Sequence, residues 1–500
     1  MASAVLDLVV DGVEIIHVAS EDTITRVRLC FAVGARDEVV SEQGVLHVLE
    51  HLVMHAAKDT VLEVNASVGP TFTEFTASGP PALVGEHLER LCRALADPPL
   101  DRMPAEAPVV AAEIDGDDGL HQALLAARYG FRDLGSGAVT GPGPDGLRPE
   151  QVQAATRWFV ARNAGLVVDG PLPPDLRLPL SDGDPRAHVR VPPRRRTGPA
   201  AVVVDAPACV VSLLLPAPDP MRLDELAAEL VRQRLLDVVR HEKGLTYVVD
   251  DEVFVDVPHV DGGSGSDLMV GAEPLEAQLV PAVQAFVGAL LELLAQGPRA
   301  EELDRARERV LLTRQGRQAQ ADLALDEALH QRLGVARPPL DVARFSSLDA
   351  ATVADYLRAL VGDVLFALPD DPALDLGTLG LQETSIAPVL DGPLPLGERF
   401  RPPLLARVLS SAARQAELAL AEDGLHVRLE GEVQSVRWED VVGVLEDDEH
   451  ELAAFGGDGS MIVVGRDVWR GGNALVDAVR SRVDPRLVYP RSKLLSRPED

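Results

Sequence analysis

The sequence is poor in cysteine and in aromatic residues. Its 500 residues include three cysteines, and phenylalanine, tryptophan and tyrosine together make up 4%. Cys30, Cys92 and Cys209 lie far apart, without the close spacing of a cysteine metal site or the even number of a disulfide framework. We therefore expect three buried, reduced thiols, and hydrophobic cores built mainly from alanine, valine and leucine.

Positive charge is also scarce. The chain has 47 lysine and arginine residues against 79 aspartate and glutamate residues, which gives a formal net charge of −32. Such an acidic surface repels DNA, RNA and anionic lipid, so we expect neither a nucleic-acid partner nor a membrane partner. The N-terminus has no basic region followed by an apolar run, and no apolar stretch of about eighteen residues occurs. These absences predict a cytoplasmic protein that spans no membrane.

What is present is a long chain with enough apolar residues for several cores. Hydrophobic residues make up 46% of the sequence, and the length predicts about two to four domains. Two proline-rich stretches divide the chain. The predicted organisation is a first half-domain (1–185), a linker (186–199), a second half-domain (200–370), a second linker (371–403) and a tail (404–500). The basic cluster 194–196 falls in the first linker, where we expect it to be solvated.

The pattern of apolar and polar residues predicts an α+β fold. Each half-domain begins with strands, continues with a helix and further strands, and then has paired helices. We therefore expect two related α/β units, each with a mixed, mainly antiparallel sheet packed against helices. The tail has short strands with tight turns and one helix at 471–483. This pattern predicts a small β-barrel capped by that helix.

The strongest chemical signal is His47-Val48-Leu49-Glu50-His51, in a segment with helical periodicity. On a helix, His47 and His51 lie one turn apart, about 6 Å along the axis, so both imidazoles can bind one Zn²⁺. Glu50 lies beside them and can take a proton from an attacking water molecule without binding the metal. The same five residues also arise by chance on acidic, solvated helices, so alone they leave a catalytic and a surface role open.

His55 continues the row of histidines by one more turn. It lies about 12 Å from His47 along a straight helix, and one zinc ion with bonds of about 2 Å cannot bind all three imidazoles. We therefore expect the third protein ligand to come from another element, and His55 to be a rim or core residue.

Further segments flank this helix in a definite order. Residues 34–38 (GARDE) and Gly44 precede it, and residues 65–75 (NASVGPTFTEF) follow it. Together with the H-x-x-E-H helix they resemble the N-terminal signature of the pitrilysin/insulinase zinc metallopeptidases, family M16. The resemblance implies an edge strand that pairs with the backbone of a peptide substrate through Asn65, Ala66 and Ser67.

A third element of the resemblance is a helix with two glutamates seven residues apart. Glu106 and Glu113 match it, and seven residues make two helical turns, which places both side chains on one side. The resemblance implies that Glu113 is the third zinc ligand and that Glu106 supports the ligands. Glu113 follows His51 by 62 positions, a shorter spacing than is usual in the family. Most of the difference falls between His55 and Asn65, where it removes a loop and no ligand.

The second half-domain carries a fourth element. Residues 240–247 (RHEKGLTY) resemble the R-x-x-x-G-L-x-Y motif of the C-terminal half-domain in the same family. The resemblance implies that Arg240 and Tyr247 reach the zinc site and hold the substrate carbonyl or the oxyanion formed from it. The four elements occur in order within residues 5–385.

The resemblance implies a two-half-domain, M16B-like endopeptidase that hydrolyses short unfolded, leader or precursor peptides inside a dimeric chamber. Two half-domains form about half of such a chamber, so we expect a second copy or a related chain as partner. The presence of both Glu50 and the Arg240/Tyr247 pair favours a homodimer and leaves a heterodimer open. The competing interpretation is a partner-dependent or non-catalytic peptide-binding subunit.

The tail resembles a bacterial PH-like domain. Trp438 follows a predicted strand, and Trp469 precedes the predicted closing helix. Because its strands lack a basic cluster, the tail is not expected to bind anionic lipid. We expect a protein-docking or dimer-supporting module.

Overall fold

The computed structural model describes residues 5–58, 61–114, 119–184, 187–259, 263–335, 337–390, 392–447 and 451–495. They form two mixed α/β halves and a smaller tail. The predicted boundary at 185/186 and the predicted ends at 1 and 500 lie outside the described residues.

The first half is a six-stranded sheet packed against helices. Its strands are β1 (Val5–Val10), β2 (Val13–Val18), β3 (Thr25–Phe31), β4 (Glu63–Val68), β5 (Thr73–Gly79) and β6 (Ala164–Asp169). Its helices are α1 (Val45–Ala56), α2 (Pro81–Ala96), α3 (Met103–Glu113), α4 (Gly119–Tyr129), α5 (Gly143–Gly146) and α6 (Pro149–Ala155). The strand order is β1-β2-β6-β3-β5-β4, so β4 lies at one edge of the sheet.

The second half is built in the same style. Its strands are β7 (Ala200–Val204), β8 (Cys209–Leu215), β9 (Thr246–Pro258), β10 (Ser264–Pro274), β11 (Leu365–Pro369) and β12 (Gln382–Glu383). Its helices are α7 (Leu223–Leu235), which continues as a π-helical segment (Leu236–Glu242), α8 (Leu279–Gln296), α9 (Ala300–Leu312), α10 (Arg317–Arg332), α11 (Val342–Ser346) and α12 (Ala350–Leu360). The strand order is β12-β7-β11-β8-β10-β9.

The two sheets share one topology. The order β2-β6-β3-β5-β4 in the first half corresponds to β7-β11-β8-β10-β9 in the second. In each sheet the first two strands of this series are parallel and the others pair antiparallel. Helix α1 connects β3 to β4, and α7 connects β8 to β9. The expected relation between the halves, with mixed sheets packed against helices, is therefore confirmed.

One helix of each half packs on the sheet of the other half. Helix α4 belongs to the first half in sequence but packs on the second sheet, in contact with β7, β8 and β11. Helix α10 of the second half packs on the first sheet, where Leu325 and Leu329 contact Ile16 and Val167. Each sheet is therefore covered in part by a helix of the other half, which ties the halves together through buried apolar surface.

The first linker is packed and hydrogen-bonded, so the expectation that the basic cluster 194–196 is solvated was wrong. Arg194 donates to backbone carbonyls in the second linker and in the tail. Arg195 forms an ion pair with Asp363 at 3.0 Å, and Arg196 donates to Thr384 at 2.9 Å. The linker runs between the two halves and the tail, so protein acceptors replace water as hydrogen-bond partners of these guanidinium groups.

The tail has two four-stranded sheets. One sheet has the order β13 (Gly397–Phe400), β14 (Glu417–Ala421), β15 (Gly424–Leu429) and β16 (Glu432–Arg437). The other has the order β19 (Met461–Val464), β18 (Leu452–Gly456), β17 (Val441–Glu446) and β20 (Val488–Pro490). Its helices are α13 (Leu404–Leu409), α14 (Ser411–Gln415) and α15 (Gly472–Arg482), and α15 packs into the tail core. Strand β13 lies within the predicted linker 371–403, and the PH-like assignment stays a prediction.

Helix α8 is long and apolar enough to cross a membrane by length and composition alone. Gln284, Glu292 and Gln296 interrupt its apolar residues, so it is not an unbroken apolar run. In the structure, α8 buries Val283, Phe286, Leu290 and Leu293 in the core of the second half. Such burial is typical of a core helix, which meets the same compositional test. The three cysteines are free and buried, as expected.

Candidate active site

The H-x-x-E-H sequence lies in helix α1, and a buried glutamate caps the start of this helix. Gly44 precedes the helix with φ of 84°, a left-handed conformation that suits glycine. The carboxylate of Glu38 accepts backbone hydrogen bonds from Gly44 at 2.7 Å and Leu46 at 2.8 Å. These N–H groups have no partner within a helix, so Glu38 fixes where the helix begins.

One face of α1 packs in the core, and the opposite face lines the candidate active site. Val45, Leu49, Leu52 and Val53 are buried against the sheet and neighbouring helices. The histidines lie on the opposite side, and the rings of His47 and His51 have centroids 5.0 Å apart. The 3.6-residue period thus places both imidazoles on the cleft side of a helix that is anchored by its apolar face.

Helix α3 packs beside α1 and brings a carboxylate to both imidazoles. Glu113 Oε2 lies 3.3 Å from Nε2 of His47 and 3.1 Å from Nε2 of His51. Glu113 is the last residue of α3, and its side chain is 53% exposed toward the cleft. Three potential metal ligands from two helices therefore meet at one point.

Glu106 lies two turns earlier on α3, on the same side. One carboxylate oxygen lies 3.8 Å from Nδ1 of His51, and the other lies 3.5 Å from Nδ1 of His55 and 3.5 Å from Arg102. Glu106 therefore faces the ring nitrogen of His51 that is turned away from Glu113. His55 lies at the rim of the cleft and is turned toward Glu106, apart from the point where the other two histidines meet.

Glu50 lies beside this group with a side chain that is 11% exposed. Potential ligand atoms of His47, Glu50 and His51 all lie within 4.8 Å of one another. Burial raises the pKa of Glu50 to about 7; His51 opposes the rise and Glu113 adds to it. Burial and the neighbouring His51 lower the pKa of His47, which favours its neutral form. A carboxyl with such a pKa is suited to exchange protons near neutral pH.

The site opens into a cleft of about 680 Å³. One wall is the edge strand β4, with Asn65, Ala66 and Ser67 among the lining residues. Among the strands that the structure describes, β4 pairs with β5 alone, so backbone groups on its other side are open to a further strand. The predicted zinc ligands, Glu50, Glu106 and the predicted substrate strand thus share one cavity.

Arg240 and Tyr247 lie elsewhere. They contact each other, with the guanidinium carbon of Arg240 5.2 Å from the centre of the Tyr247 ring. Tyr247 is 76% exposed, and neither residue is among the described residues that line the cleft. The structure therefore brings together every predicted site residue of the first half and leaves this pair outside.

Similarity to solved structures covers about three quarters of the chain. A protease from Helicobacter pylori matches 74% of this chain and 100% of its own, with 16% identity and a TM-score of 0.58. The inactive domain of an M16 peptidase from Pseudomonas fluorescens matches 73% of this chain and 97% of its own, with 16% identity and a TM-score of 0.54. The sequence itself matches no protein-family model and no curated relative.

The chain has the fold of M16 peptidases. Pitrilysin matches 75% of this chain but only 46% of its own length, with 19% identity and a TM-score of 0.51. At this level of identity the similarity establishes the fold alone, because one fold can carry different chemistries.

Two residues of this M16 fold have roles that the sequence analysis did not assign. Arg36 and Glu38 belong to the segment 34–38, but their contacts were not predicted. The side chain of Arg36 is fully buried and donates to Asp133 at 2.5 Å and to the Val255 carbonyl of the second half at 2.5 Å. Glu38 lies too far before α1 for the usual capping-box spacing, so no local rule identifies it as a cap.

Proposed function

We propose that this chain is a zinc-dependent endopeptidase that hydrolyses short, extended peptides. The observation that carries the proposal is the convergence of Nε2 of His47 and Nε2 of His51 on one oxygen of Glu113. Two imidazoles and one carboxylate are a donor set that catalytic zinc sites use, with a further position left for water or substrate.

The donor set fits zinc in its chemistry as well as its arrangement. His47 favours the neutral form that metal binding requires, because burial and His51 lower its pKa. Glu106 faces Nδ1 of His51, which is how a carboxylate orients a metal-binding histidine. When bound, zinc would supply a Lewis acid that polarises the peptide carbonyl and acidifies water.

The remaining steps belong to residues of this chain. Glu50 takes a proton from the attacking water and returns it to the leaving amine, with a raised pKa that suits both transfers. The peptide backbone pairs with the open side of β4 beside Asn65, Ala66 and Ser67, which places a scissile bond along the cleft. Recognition through backbone groups requires an extended peptide and excludes folded substrates.

The experiment that tests this function measures cleavage of a mixed library of short peptides by the purified chain, detected by mass spectrometry. We expect cleavage with zinc, none after chelation, and recovery when zinc is added back. A matched His47→Ala variant is expected to lose both zinc and cleavage. Cleavage that persists in the chelated protein would contradict the proposal.

Zinc occupancy is expected to fall below about pH 6, because His47 and His51 must be neutral to bind metal and a free histidine has a pKa of about 6.5. Activity is expected to fall earlier, as the pH drops through about 7, because the carboxyl of Glu50 must be ionised to take a proton from water. The lowered pKa of His47 moves its protonation to lower pH, so zinc is retained through the mildly acidic range. Parallel titrations of zinc content and cleavage rate check this. Loss of zinc at a higher pH than the loss of activity would contradict this order.

We propose that the active unit is a dimer of two copies of this chain. The observation that favours it is the position of Arg240 and Tyr247, exposed and outside the cleft of their own chain. A second copy could bring its own pair to this cleft, where the two side chains would hold the substrate carbonyl. A related chain could supply the same pair in a heterodimer.

Mixing two inactive variants tests this arrangement. Glu50→Gln and Arg240→Ala homodimers are each expected to be nearly inactive. After subunit exchange, half of the dimers contain one intact composite site, so about a quarter of the wild-type activity is expected. A Glu50→Gln protein mixed with a Glu50→Gln/Arg240→Ala protein is the matched control and should stay inactive. No recovery, with exchange verified, would contradict a shared site.

The alternative function is a partner-dependent or non-catalytic peptide-binding subunit. It is favoured by one observation, the similarity to an M16 domain described as inactive. Zinc binding without cleavage by the chain alone, followed by cleavage when a related chain is added, would support this alternative.

We further propose a cytoplasmic location and a PH-like tail that supports docking or dimerisation. Deletion of the tail, with measurement of the oligomeric state, tests the proposed role of the tail.

A further inference from the structure

A second cavity, of about 360 Å³, lies between the two halves and shares no lining residue with the zinc-site cleft. One wall is the β4–β5 connection of the first half, at Thr71 and Phe72. The opposite wall comes from α7, β9, β10 and α10. The apolar part of the lining consists of Phe72, Leu215, Ala228, Val253, Val255 and Val335.

His330 presents an unsatisfied acceptor at this cavity. Its side chain is buried, with the residue 4% exposed, and Nδ1 lies 2.5 Å from the backbone carbonyl of Asp326. Because a carbonyl only accepts, Nδ1 carries the hydrogen, and Nε2 of the neutral ring keeps a free lone pair. Nε2 has no hydrogen-bond partner among the residues that the structure describes. Burial lowers the pKa of His330 to about 4, so the ring is neutral at physiological pH.

Asp224 presents a second unsatisfied acceptor. The residue is 7% exposed and lines the same cavity, yet its Oδ1 has no partner within the described part of the chain. Burial, together with Glu225, raises the pKa of Asp224 to about 6. The backbone N–H of Glu225 and the charges of Arg222 and Arg337 oppose this rise but leave Oδ1 unpartnered. A buried acceptor atom without a donor is unfavourable, and a cationic donor would relieve this cost.

Three arginines lie near this cavity, and each forms an ion pair with Glu225. Glu225 forms ion pairs with Arg337 at 3.1 Å, with Arg222 at 3.5 Å and with Arg314. Asp326 adds a further carboxyl to the lining, and burial raises its pKa as well. In the described part of the chain, Nε and Nη1 of Arg222 have no hydrogen-bond partner, so the planar guanidinium does not reach the two free acceptors, Nε2 of His330 and Oδ1 of Asp224.

A metal ion does not fit the unpartnered acceptors of this cavity. Among the described residues that line this cavity, no three potential ligand atoms lie within 4.8 Å of one another. The acceptors of the second cavity are more widely spaced and surround an apolar space. A primary ammonium group carries three N–H donors on an aliphatic stem, which matches both features.

We propose that this cavity binds an alkylammonium group, whose N–H donors reach Nε2 of His330 and the carboxylate of Asp224 while its alkyl stem lies against Phe72, Val253 and Val255. The group has two sources with the same chemistry, a free alkylamine or the lysine side chain of a bound peptide. Either occupant contacts the connection that follows β4, so it adjoins the strand proposed to hold the substrate.

Calorimetric titration of the full chain with n-pentylammonium chloride, and with n-pentanol as the neutral isostere, tests the proposal. We expect saturable binding of the amine and none of the alcohol. Asp224→Asn should weaken amine binding about tenfold or more, because it replaces a charge-assisted hydrogen bond by a neutral one. Ala228→Met should also weaken it, since it fills the cavity and leaves every acceptor in place. Asp467→Asn, an exposed change of the same kind in the tail, should leave it unchanged.

No saturable amine binding, equal binding of the alcohol, or unchanged affinity in both cavity variants would overturn the proposal. Two peptides that differ in lysine against norleucine, titrated into Glu50→Gln protein, separate the sources. A lysine preference that Asp224→Asn removes assigns the cavity to a substrate side chain, and binding of the free amine alone assigns it to a small ligand. Because the readout is binding, chelated protein that cleaves nothing would still bind the amine.

Discussion

Replacing Glu50 with glutamine is expected to lower peptide hydrolysis about a thousandfold, which is the size of effect that positioned acid–base groups provide. Glutamine keeps the shape of the side chain but cannot take a proton from water. The side chain is nearly buried beside His47 and His51, and it is not the carboxylate on which their Nε2 atoms converge. Zinc content should therefore stay unchanged while turnover is lost.

The matched control is Glu86→Gln, on an exposed position of α2. It makes the same chemical change away from the cleft and should leave hydrolysis unchanged. Single-turnover rates and zinc stoichiometry of both variants separate loss of the base from loss of the metal. Undiminished turnover in Glu50→Gln would refute the role of Glu50, and loss of zinc in that variant would make Glu50 a ligand.

Replacing Arg36 with alanine is expected to lower the free energy of unfolding by about 3–5 kcal/mol, because it leaves the fully buried carboxylate of Asp133 without its cation. The same change removes hydrogen bonds to the carbonyls of Val255 and Asp256 in the second half. The loss should therefore appear both in denaturant unfolding and as weaker docking of the halves.

Two further variants make this prediction specific. Arg162→Ala removes an exposed ion pair with Asp184 and should change the free energy of unfolding by less than about 1 kcal/mol. The double change Arg36→Met/Asp133→Leu removes both buried charges and should recover much of the stability lost in Arg36→Ala. An Arg36→Ala protein as stable as the wild type would show that this buried pair does not hold the fold.

The part of the site carried by one helix could be predicted from the sequence. The spacing of His47 and His51 fixes two imidazoles on one face of any helix, whatever the rest of the fold. Glu113 was predicted through the family resemblance and not through geometry, since no local rule brings α3 beside α1. The same holds for Glu106, whose contact with His51 depends on how the two helices pack.

The remaining features depend on contacts between distant segments. The basic cluster 194–196 was expected to be solvated, because a linker rich in proline and arginine gives no local sign that acceptors from three units surround it. Asp224 and His330 belong to two helices of the second half that are distant in sequence, so tertiary packing brings them to one cavity. Arg240 and Tyr247 lie outside the cleft of their own chain, and no local sequence pattern indicates that position.

The most direct test of the account is cleavage of short peptides by the purified chain, measured by mass spectrometry at one equivalent of zinc and again after chelation. The account predicts cleavage that is lost with the metal and restored with it, in a preparation where no other chain is present. Zinc bound at one equivalent through His47, His51 and Glu113 but no cleavage of any peptide would contradict a self-sufficient peptidase. That result would identify the chain as the peptide-binding subunit of a larger enzyme.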